Sequence, residues 1–214
     1  HDITRVTAEL DMQRCGDEAA PLVLDGDALT LISIAIDGQL LQPAQYELTD
    51  TTRALHPESA RFTLTVQTEC PPADNTALMG LYASADSLFT QCEAEGFRRI
   101  MWFPDRPDVM SAYRVTLRAD KSRYPVLLSN GNLISQRELD NGRHEAVWDD
   151  PHPKPSYLFA LVAGNFSCRE KVVQTRSGRP VTLQVYTDAL SIDKTAWALD
   201  CLERAMRWDE DTWG

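Results

Sequence analysis

The side chains best suited to chemistry lie in one short segment, FTQCEAEGFRRIMWFPDRP, residues 89–107. Glu93 and Glu95 stand one residue apart there, so an extended backbone would bring their carboxylates to one face, whereas a bend would separate them. Two neighbouring carboxylates can work as acid and base, bind a cation, or pair with the arginines of the same segment. Those arginines are Arg98, Arg99 and Arg106. Composition favours a structural loop of ion pairs and leaves ligand binding and acid–base catalysis open.

The end of the segment, MWFPDRP at 101–107, combines two aromatic side chains with two prolines. Proline restricts the backbone and aromatic rings bury large apolar areas, so this part predicts a rigid, packed turn. Spacing alone does not say whether that turn supports a site or only closes the fold.

The sequence contains no complete metal or nucleophile motif. HEAVW at 144–148 begins like the zinc-protease helix motif H-E-x-x-H, but Trp148 stands where the second histidine is needed to share a helical face with the first. The segment follows an Asn-Gly turn and alternates like a strand, so it predicts a surface strand. The G-x-S-x-G elbow and the phosphate-binding glycine loops are missing as well. These motifs therefore predict no metal ligand and give no support for a nucleophilic residue within this sequence.

Charge and cysteine content restrict the partners. The formal net charge of −11 repels phosphate backbones and anionic lipid, which argues against nucleic acid or a membrane as partner. No apolar run approaches the roughly 18 residues of a membrane-spanning helix. The five cysteines are scattered without a C-x-x-C pair, so we expect reduced thiols and a cytoplasmic protein.

The elements that must position the segment are mostly strands. Four stretches alternate apolar and polar residues, the pattern of a strand with one buried face. They are LISIAIDG at 31–38, RFTLTVQT at 61–68, YRVTLRA at 113–119 and VTLQVYT at 181–187. The predicted buried positions of the first three are Ile32, Ile34 and Ile36, then Phe62, Leu64 and Val66, then Tyr113, Val115 and Leu117.

Turn signals organise the middle of the chain. SNGN at 129–132 and DNGR at 140–143 flank LISQREL, which predicts a meander of three strands. DDPHPKPSY at 149–157 has three prolines and predicts neither helix nor central strand. YLFALVAG at 157–164 predicts a strand buried on both faces.

Only the last residues predict a helix. Ser191 is a suitable N-cap, and apolar residues then recur at helical spacing, with Asp200–Arg204 and Glu203–Arg207 as ion pairs on the wet side. The predicted apolar stripe comprises Ala198, Cys201, Leu202, Ala205 and Met206.

Beyond these patterns, long blocks of the sequence resemble the zinc aminopeptidase family with a thermolysin-like catalytic domain. The first block, TALMGLYASADSLFTQCEAEGFRRIMWFPDRPDVMSAYRVTLRADKSRYPVLLSNGN, spans residues 76–132. LDNGRH, WDDPHPKPSYLFALVAGNF and TRSGRPVTLQVYTD follow in the family's order. The resemblance covers nearly the whole chain and is least distinctive over about the first 60 residues.

The resemblance implies a mostly β fold. An N-terminal antiparallel β-sandwich or saddle domain would span residues 1–165, and residues 166–214 would hold the first strands and first helix of a thermolysin-like α+β catalytic domain. The chain would then be an N-terminal fragment. The G-A-M-E-N substrate loop and all ligands of the single zinc ion would lie beyond Gly214, and the fragment alone would be inactive.

The resemblance also implies roles for the T-Q-x-E stretch at 90–93, which would reach into the active-site cleft. Glu93 would help to bind the free α-ammonium of a peptide substrate, and Gln91 would line the pocket for the first side chain. The Glu93–Ala94 peptide bond would be cis. The implied activity is removal of N-terminal amino acids from peptides, with the remaining catalytic and C-terminal domains of the same chain as further partners.

Two other interpretations remain at this point. One is a non-catalytic β-sandwich module that binds a protein or peptide through the 89–107 loop. The other is a glycosidase that uses Glu93 and Glu95 as its carboxylate pair.

Overall fold

The computed structural model describes residues 3–16 and 20–214. Antiparallel strands are the predominant regular structure of these residues, which confirms the predicted mostly β fold. Strands of the first half are β1 Thr4–Gln13, β2 Leu22–Asp25, β3 Thr30–Ile36, β4 Gln39–Leu40, β5 Glu47–Leu48, β6 Thr52–Leu55, β7 Arg61–Cys70, β8 Gly80–Ser84 and β9 Ser87–Gln91. They are followed by β10 Ser111–Asp120, β11 Val126–Ser129, β12 Asn132–Glu138, β13 Arg143–Lys154, β14 Leu161–Gly164, β15 Ser167–Gln174 and β16 Pro180–Thr187. Helix α1 is Ala196–Trp213, and short 3₁₀ turns occupy Pro43–Gln45, Phe97–Arg99, Ser156–Leu158 and Ile192–Thr195.

The chain divides into two compact units, the first ending at Ala163 and the second beginning at Gly164. In the first unit the strand orders are β1-β7-β3-β4, β10-β13-β12, β11-β14-β9-β8 and β2-β6-β5. In the second unit β15 and β16 form an antiparallel hairpin beside α1. The assignment of the second unit to the start of a catalytic domain stays a prediction.

Strand β7 lies between β1 and β3, and its alternation is the one predicted. Phe62, Leu64 and Val66 are buried in one core cluster with Leu24, Leu55 and Trp102. The prediction for β3 was wrong at one position, because Ile32 is 45% exposed. The register of β3 against β7 shifts between Leu31 and Ser33, and such a bulge turns the side chain to the other face.

The sheet β10-β13-β12 confirms the β10 pattern, with Arg114, Thr116 and Arg118 exposed on its outer face. The predicted three-strand meander was wrong, because β11 joins β14 in a different sheet and only β12 and β13 form the hairpin.

The prediction that residues 149–157 form neither helix nor central strand is confirmed beyond Asp149, although β13 itself continues through Lys154. Its pairing with β12 ends at Asp149, so beyond that residue β10 is its one paired neighbour among the described residues, and it lies at the sheet edge. Prolines are tolerated on such an edge, and the register shift between Ser111 and Tyr113 lies opposite them. In the next segment, only Leu161–Gly164 of the predicted 157–164 strand is strand, since a 3₁₀ turn covers Ser156–Leu158.

The segment 144–148 is a strand as predicted, but it is largely buried. The His144 ring nitrogen Nε2 lies 2.7 Å from the carbonyl oxygen of Tyr124. Glu145 accepts hydrogen bonds from Nε of Arg118 at 2.6 Å and from Nε of Arg137 at 2.7 Å. These two guanidinium groups lower the pKa of the Glu145 carboxyl to about 2.

Helix α1 begins five residues later than Ser191, after a 3₁₀ turn, and Ser191 makes no side-chain capping bond. The buried side of the helix contains Leu199 and Glu203, whereas Ala198, Leu202 and Ala205 of the predicted stripe are exposed. Both predicted ion pairs of α1 form, but Glu203 is buried because Lys171 of β15 also pairs with it. Among the described residues, no helix is long and apolar enough to cross a membrane.

Replacing Glu145 with Gln should lower the free energy of unfolding at pH 7, because one amide replaces the carboxylate that two arginines share. The folded pKa of about 2 lies below the ordinary value of 4.5, so this stabilisation is present above about pH 4.5. The difference between wild type and Glu145→Gln should therefore narrow as the pH falls from 4.5 towards 2. Urea unfolding measured at several pH values checks this. Glu138→Gln, whose side chain is exposed, is the matched control, and a difference independent of pH would contradict the assignment.

Candidate functional site

The site grows out of the end of strand β9. Gln91 pairs with Gly80 of β8, and on the other side Phe89 pairs with Val162 of β14. Thr90 fixes that side through its hydroxyl, which accepts a hydrogen bond from the backbone N–H of Leu161 at 2.8 Å and lies 3.2 Å from the carbonyl oxygen of Leu161. The chain then leaves the sheet in a turn formed by residues 91–96, here called the 91–96 turn.

Cys92 anchors this turn from inside. Its side chain is 3% exposed and lies in a core cluster with Cys70, Leu81 and Phe97. Burial, with a smaller contribution from Asp105, raises the pKa of the Cys92 thiol to about 12. The thiol is therefore neutral at physiological pH and packs as a small apolar group, which argues against a nucleophilic role.

Gly96 closes the turn, and its N–H donates to the carbonyl oxygen of Cys92 at 2.8 Å. The backbone is so close at this point that a Cβ atom on Gly96 would lie 2.1 Å from the carbonyl oxygen of Gln91 and 2.9 Å from Cα of Cys92. Only glycine fits there without moving the backbone that carries Gln91.

Gln91 and Glu93 both lie exposed at the outer end of the turn. The Gln91 side-chain amide donates from Nε2 to the backbone oxygen of Glu93 at 3.1 Å, and the Glu93–Ala94 peptide bond is cis. Within residues 3–16 and 20–214, no ion pair or side-chain hydrogen bond engages the Glu93 carboxylate. The predicted substrate-binding residues thus lie together, and one of them presents a free carboxylate.

Glu95 differs from Glu93, because its carboxylate lies 3.4 Å from the Arg98 guanidinium. Glu93 and Glu95, which Ala94 separates in sequence, therefore do not share a partner. Residues 93–96 form a turn, which favours the bend over the extended backbone among the alternatives that spacing left open, and the Arg98 contact gives Glu95 a structural partner.

Arg98 holds the base of the turn through Asp105, whose side chain is 1% exposed. Asp105 Oδ2 accepts from the Arg98 side chain at Nε, 2.9 Å, and from the Arg98 backbone N–H, 3.2 Å. Ser156 donates from Oγ to Asp105 Oδ1. Sequence reasoning missed both Asp105 and Ser156, because no spacing signal connects residues that lie 51 positions apart.

The ion pairs predicted for the segment are partly confirmed. Arg99 pairs outside the segment, with Asp27 at 2.5 Å, and Arg106 pairs with Asp108 near the surface.

The predicted packed turn is confirmed as well. The ring of Phe97 contacts the rings of Phe103 and Phe159 edge-on, each at 5.1 Å between centroids.

The described residues do not suit a resident metal ion. No three His, Cys, Asp or Glu side chains among them are arranged so that they could hold one.

This arrangement of antiparallel sheets, with a turn held out from the end of a strand, is the architecture of an M1 peptidase N-terminal domain. Residues 18–158 match the Peptidase M1 N-terminal domain family, and the chain belongs to that family. It is 50% identical over 211 residues to aminopeptidase N of Caulobacter vibrioides, covering 99% of this chain and 24% of the relative. Identity to aminopeptidase N of Escherichia coli is 48%, with the same coverage.

Solved structures of aminopeptidases and related proteins share this fold. Legionella pneumophila aminopeptidase A in complex with aspartic acid superposes with a TM-score of 0.90 at 38% identity, covering 98% of this chain and 25% of that one. Yeast LTA4 hydrolase, at 17% identity and a TM-score of 0.74, shares the fold over 94% of this chain and 31% of its own. The chain thus spans about a quarter of the length of the aminopeptidases N that it matches.

Gly96→Ala should destabilise the protein by about 1–3 kcal/mol, the usual cost of forcing extra atoms into a packed site. The cause is the contact of the new Cβ with the carbonyl oxygen of Gln91. Gly16→Ala is the matched control, because a Cβ on Gly16 meets no atom within 4 Å. Chemical denaturation of both variants checks the difference, and equal stabilities would contradict the close approach.

Proposed function

We propose that this chain is the N-terminal part of a zinc aminopeptidase that removes N-terminal amino acids from peptides, and that its 91–96 turn binds the free α-amino group of the substrate. The supporting observation is the exposed Glu93 carboxylate, which has no partner among the described residues although the turn beneath it is fixed by Cys92, Gly96 and Arg98.

The charge of Glu93 fits an α-amino group. The pKa of an α-amino group is about 8, so most substrate N-termini are cationic at neutral pH. An ammonium group donates charge-assisted hydrogen bonds to a carboxylate, and these are stronger than neutral ones. The nitrogen of an internal peptide bond is uncharged and has at most one N–H, so it would leave a desolvated carboxylate without adequate compensation. A carboxylate at this position therefore selects chain ends.

Gln91 would have two roles in this proposal. Its amide already contacts the Glu93 backbone oxygen, so it braces the residue that binds the amine. Its remaining exposed atoms would line the pocket for the first substrate side chain, as the family resemblance implies.

The relatives support the class of reaction. The 46–50% identical proteins are aminopeptidases N, and the structure of the Legionella protein contains a free amino acid. The zinc ligands would lie outside this chain, as the family resemblance implies. Bond cleavage is accordingly assigned to residues outside these 214, and Glu93 to substrate binding.

In the full-length enzyme, Glu93→Gln should raise KM for aminoacyl substrates by about 10–100-fold, since a hydrogen bond to a charged group contributes about 1.5–3 kcal/mol. Zinc content should not change. Steady-state kinetics with metal analysis checks both. Glu95→Gln is the control, removing the same charge two residues away, and should change KM by less than about twofold because an exposed ion pair contributes little. Unchanged KM in Glu93→Gln, or loss of zinc with KM preserved, would count against this role.

The 214-residue chain alone should release no product from an aminoacyl chromogenic amide in the presence of zinc. The proposal puts the bond-breaking groups outside it. The full-length enzyme in the same assay is the positive control. Chelator-sensitive hydrolysis by the purified chain would refute the proposal.

A further inference from the structure

We infer that Asp105 and Arg98 form a positioning pair for Glu93: an ion pair with a buried carboxylate that sets where the Glu93 carboxylate meets the substrate amine. This inference rests on the proposed function. Neither residue would touch the substrate, and their effect would pass through the 91–96 turn.

The Asp105 carboxylate is almost fully occupied by donors. Arg98 contributes its Nε and its backbone N–H to Oδ2, and Ser156 contributes its hydroxyl to Oδ1. Arg98 also donates from Nη2 to the Asp105 backbone oxygen at 3.0 Å, while the Asp105 N–H donates to Asp25 at 3.2 Å. A buried carboxylate tolerates desolvation only in such surroundings, so its partners have little freedom to move.

Arg98 is connected to Glu93 through a short and closed piece of backbone. Gly96 accepts from the Arg99 N–H at 3.0 Å and donates to the Cys92 oxygen at 2.8 Å. Only four residues separate Glu93 from Arg98, so these hydrogen bonds restrict the backbone between them. A shift of Arg98 therefore moves the turn that carries Glu93.

The Asp105 carboxylate is also connected to the residue that precedes the turn, Thr90, through Ser156 and Leu161. Ser156 precedes Leu161 by five residues, and Leu161 is the residue that Thr90 holds through both its N–H and its carbonyl oxygen. The contacts close a ring: Thr90 binds Leu161, Ser156 binds Asp105, and Asp105 binds Arg98. Both ends of the segment that carries Glu93 are thereby fixed to one stretch of chain, residues 156–161.

Buried ion pairs often contribute little net stability, so a folding role does not by itself account for this ring. Its geometric consequence is larger, because a displacement of about 1 Å at a binding group can lower reactivity by about 10²-fold. The pair should therefore affect recognition of the amine more than recognition of the rest of the substrate.

The test measures amine recognition directly in the full-length enzyme. The probes are an aminoacyl hydroxamate and the hydroxamate of the same acid without its α-amino group, and the ratio of their inhibition constants is the amine preference. In Asp105→Asn the preference should fall by about tenfold or more, with the inhibition constant of the amine-free probe within about twofold of wild type. Arg98→Lys should cause a similar fall, because lysine lacks the planar fork that bridges Asp105.

Ser156→Ala supplies a milder variant, since it removes one donor and leaves the ion pair in place. It should lower the amine preference by a few-fold while the protein stays folded, as thermal unfolding would verify. Glu145→Gln is the matched control. Glu145, like Asp105, is a buried carboxylate, and two arginines hold it. It lies in the β10-β13-β12 sheet, so its replacement should lower stability without changing the amine preference.

The outcomes separate this inference from the proposed function. If Glu93→Gln leaves the amine preference unchanged, the proposed function fails, and this inference fails with it. If Glu93→Gln lowers the preference but folded Asp105→Asn, Arg98→Lys and Ser156→Ala do not, only the positioning pair is refuted. An equal loss of affinity for both probes would show a general structural role and would also overturn it. If Asp105→Asn does not fold, Arg98→Lys and Ser156→Ala decide by the same criteria.

Discussion

The buried carboxylate of Asp105 is the interaction on which the geometry of the candidate site depends. A charge removed from water needs several donors, and here Arg98 and Ser156 supply them from two 3₁₀ turns far apart in sequence. Satisfying one carboxylate therefore fixes the base of the 91–96 turn and the segment leading to β14 together. The edge-on contacts of Phe97 and Phe159 involve the same two stretches of chain, so apolar packing and the charge pair constrain the same geometry.

The acidic residues around the site fall into two kinds. Asp27, Glu95 and Asp105 each have an arginine partner, so their charges are largely neutralised. Glu93 has none among the described residues, and it stands on backbone that buried contacts hold in place. In a chain with a net charge of −11, an unpaired carboxylate is not unusual by itself. Its position on the fixed 91–96 turn is what makes it suitable for selecting a cation.

Local patterns predicted what depends on neighbours in sequence, and failed where distant contacts decide. The alternation of β7 and β10 was correct because each strand has one buried face. Ile32 was misplaced because a bulge against β7, which leaves no mark in the sequence, reverses the side chain. The buried face of α1 was misplaced because Lys171 neutralises Glu203 from another element. In the site, residue type and spacing made Glu93 a candidate, but its role and the choice of Gln91 came only from the family resemblance. Neither source predicted the contact between Asp105 and Ser156.

A fixed turn is needed because the amino group that Glu93 would bind lies very close to the bond that is cleaved. In an N-terminal residue the amino nitrogen and the carbonyl carbon are joined through one Cα atom, so they lie only about 2.5 Å apart. If Glu93 binds that nitrogen as proposed, any error in its position passes almost undiminished to the bond that must be cleaved, and a shift of about 1 Å is then enough to impair the reaction. A long flexible loop could provide the charge of Glu93, but it could not keep the carboxylate within about 1 Å of its required position. The 91–96 turn can do so, because hydrogen bonds fix it at Thr90 and at Arg98 and Gly96 packs against its backbone.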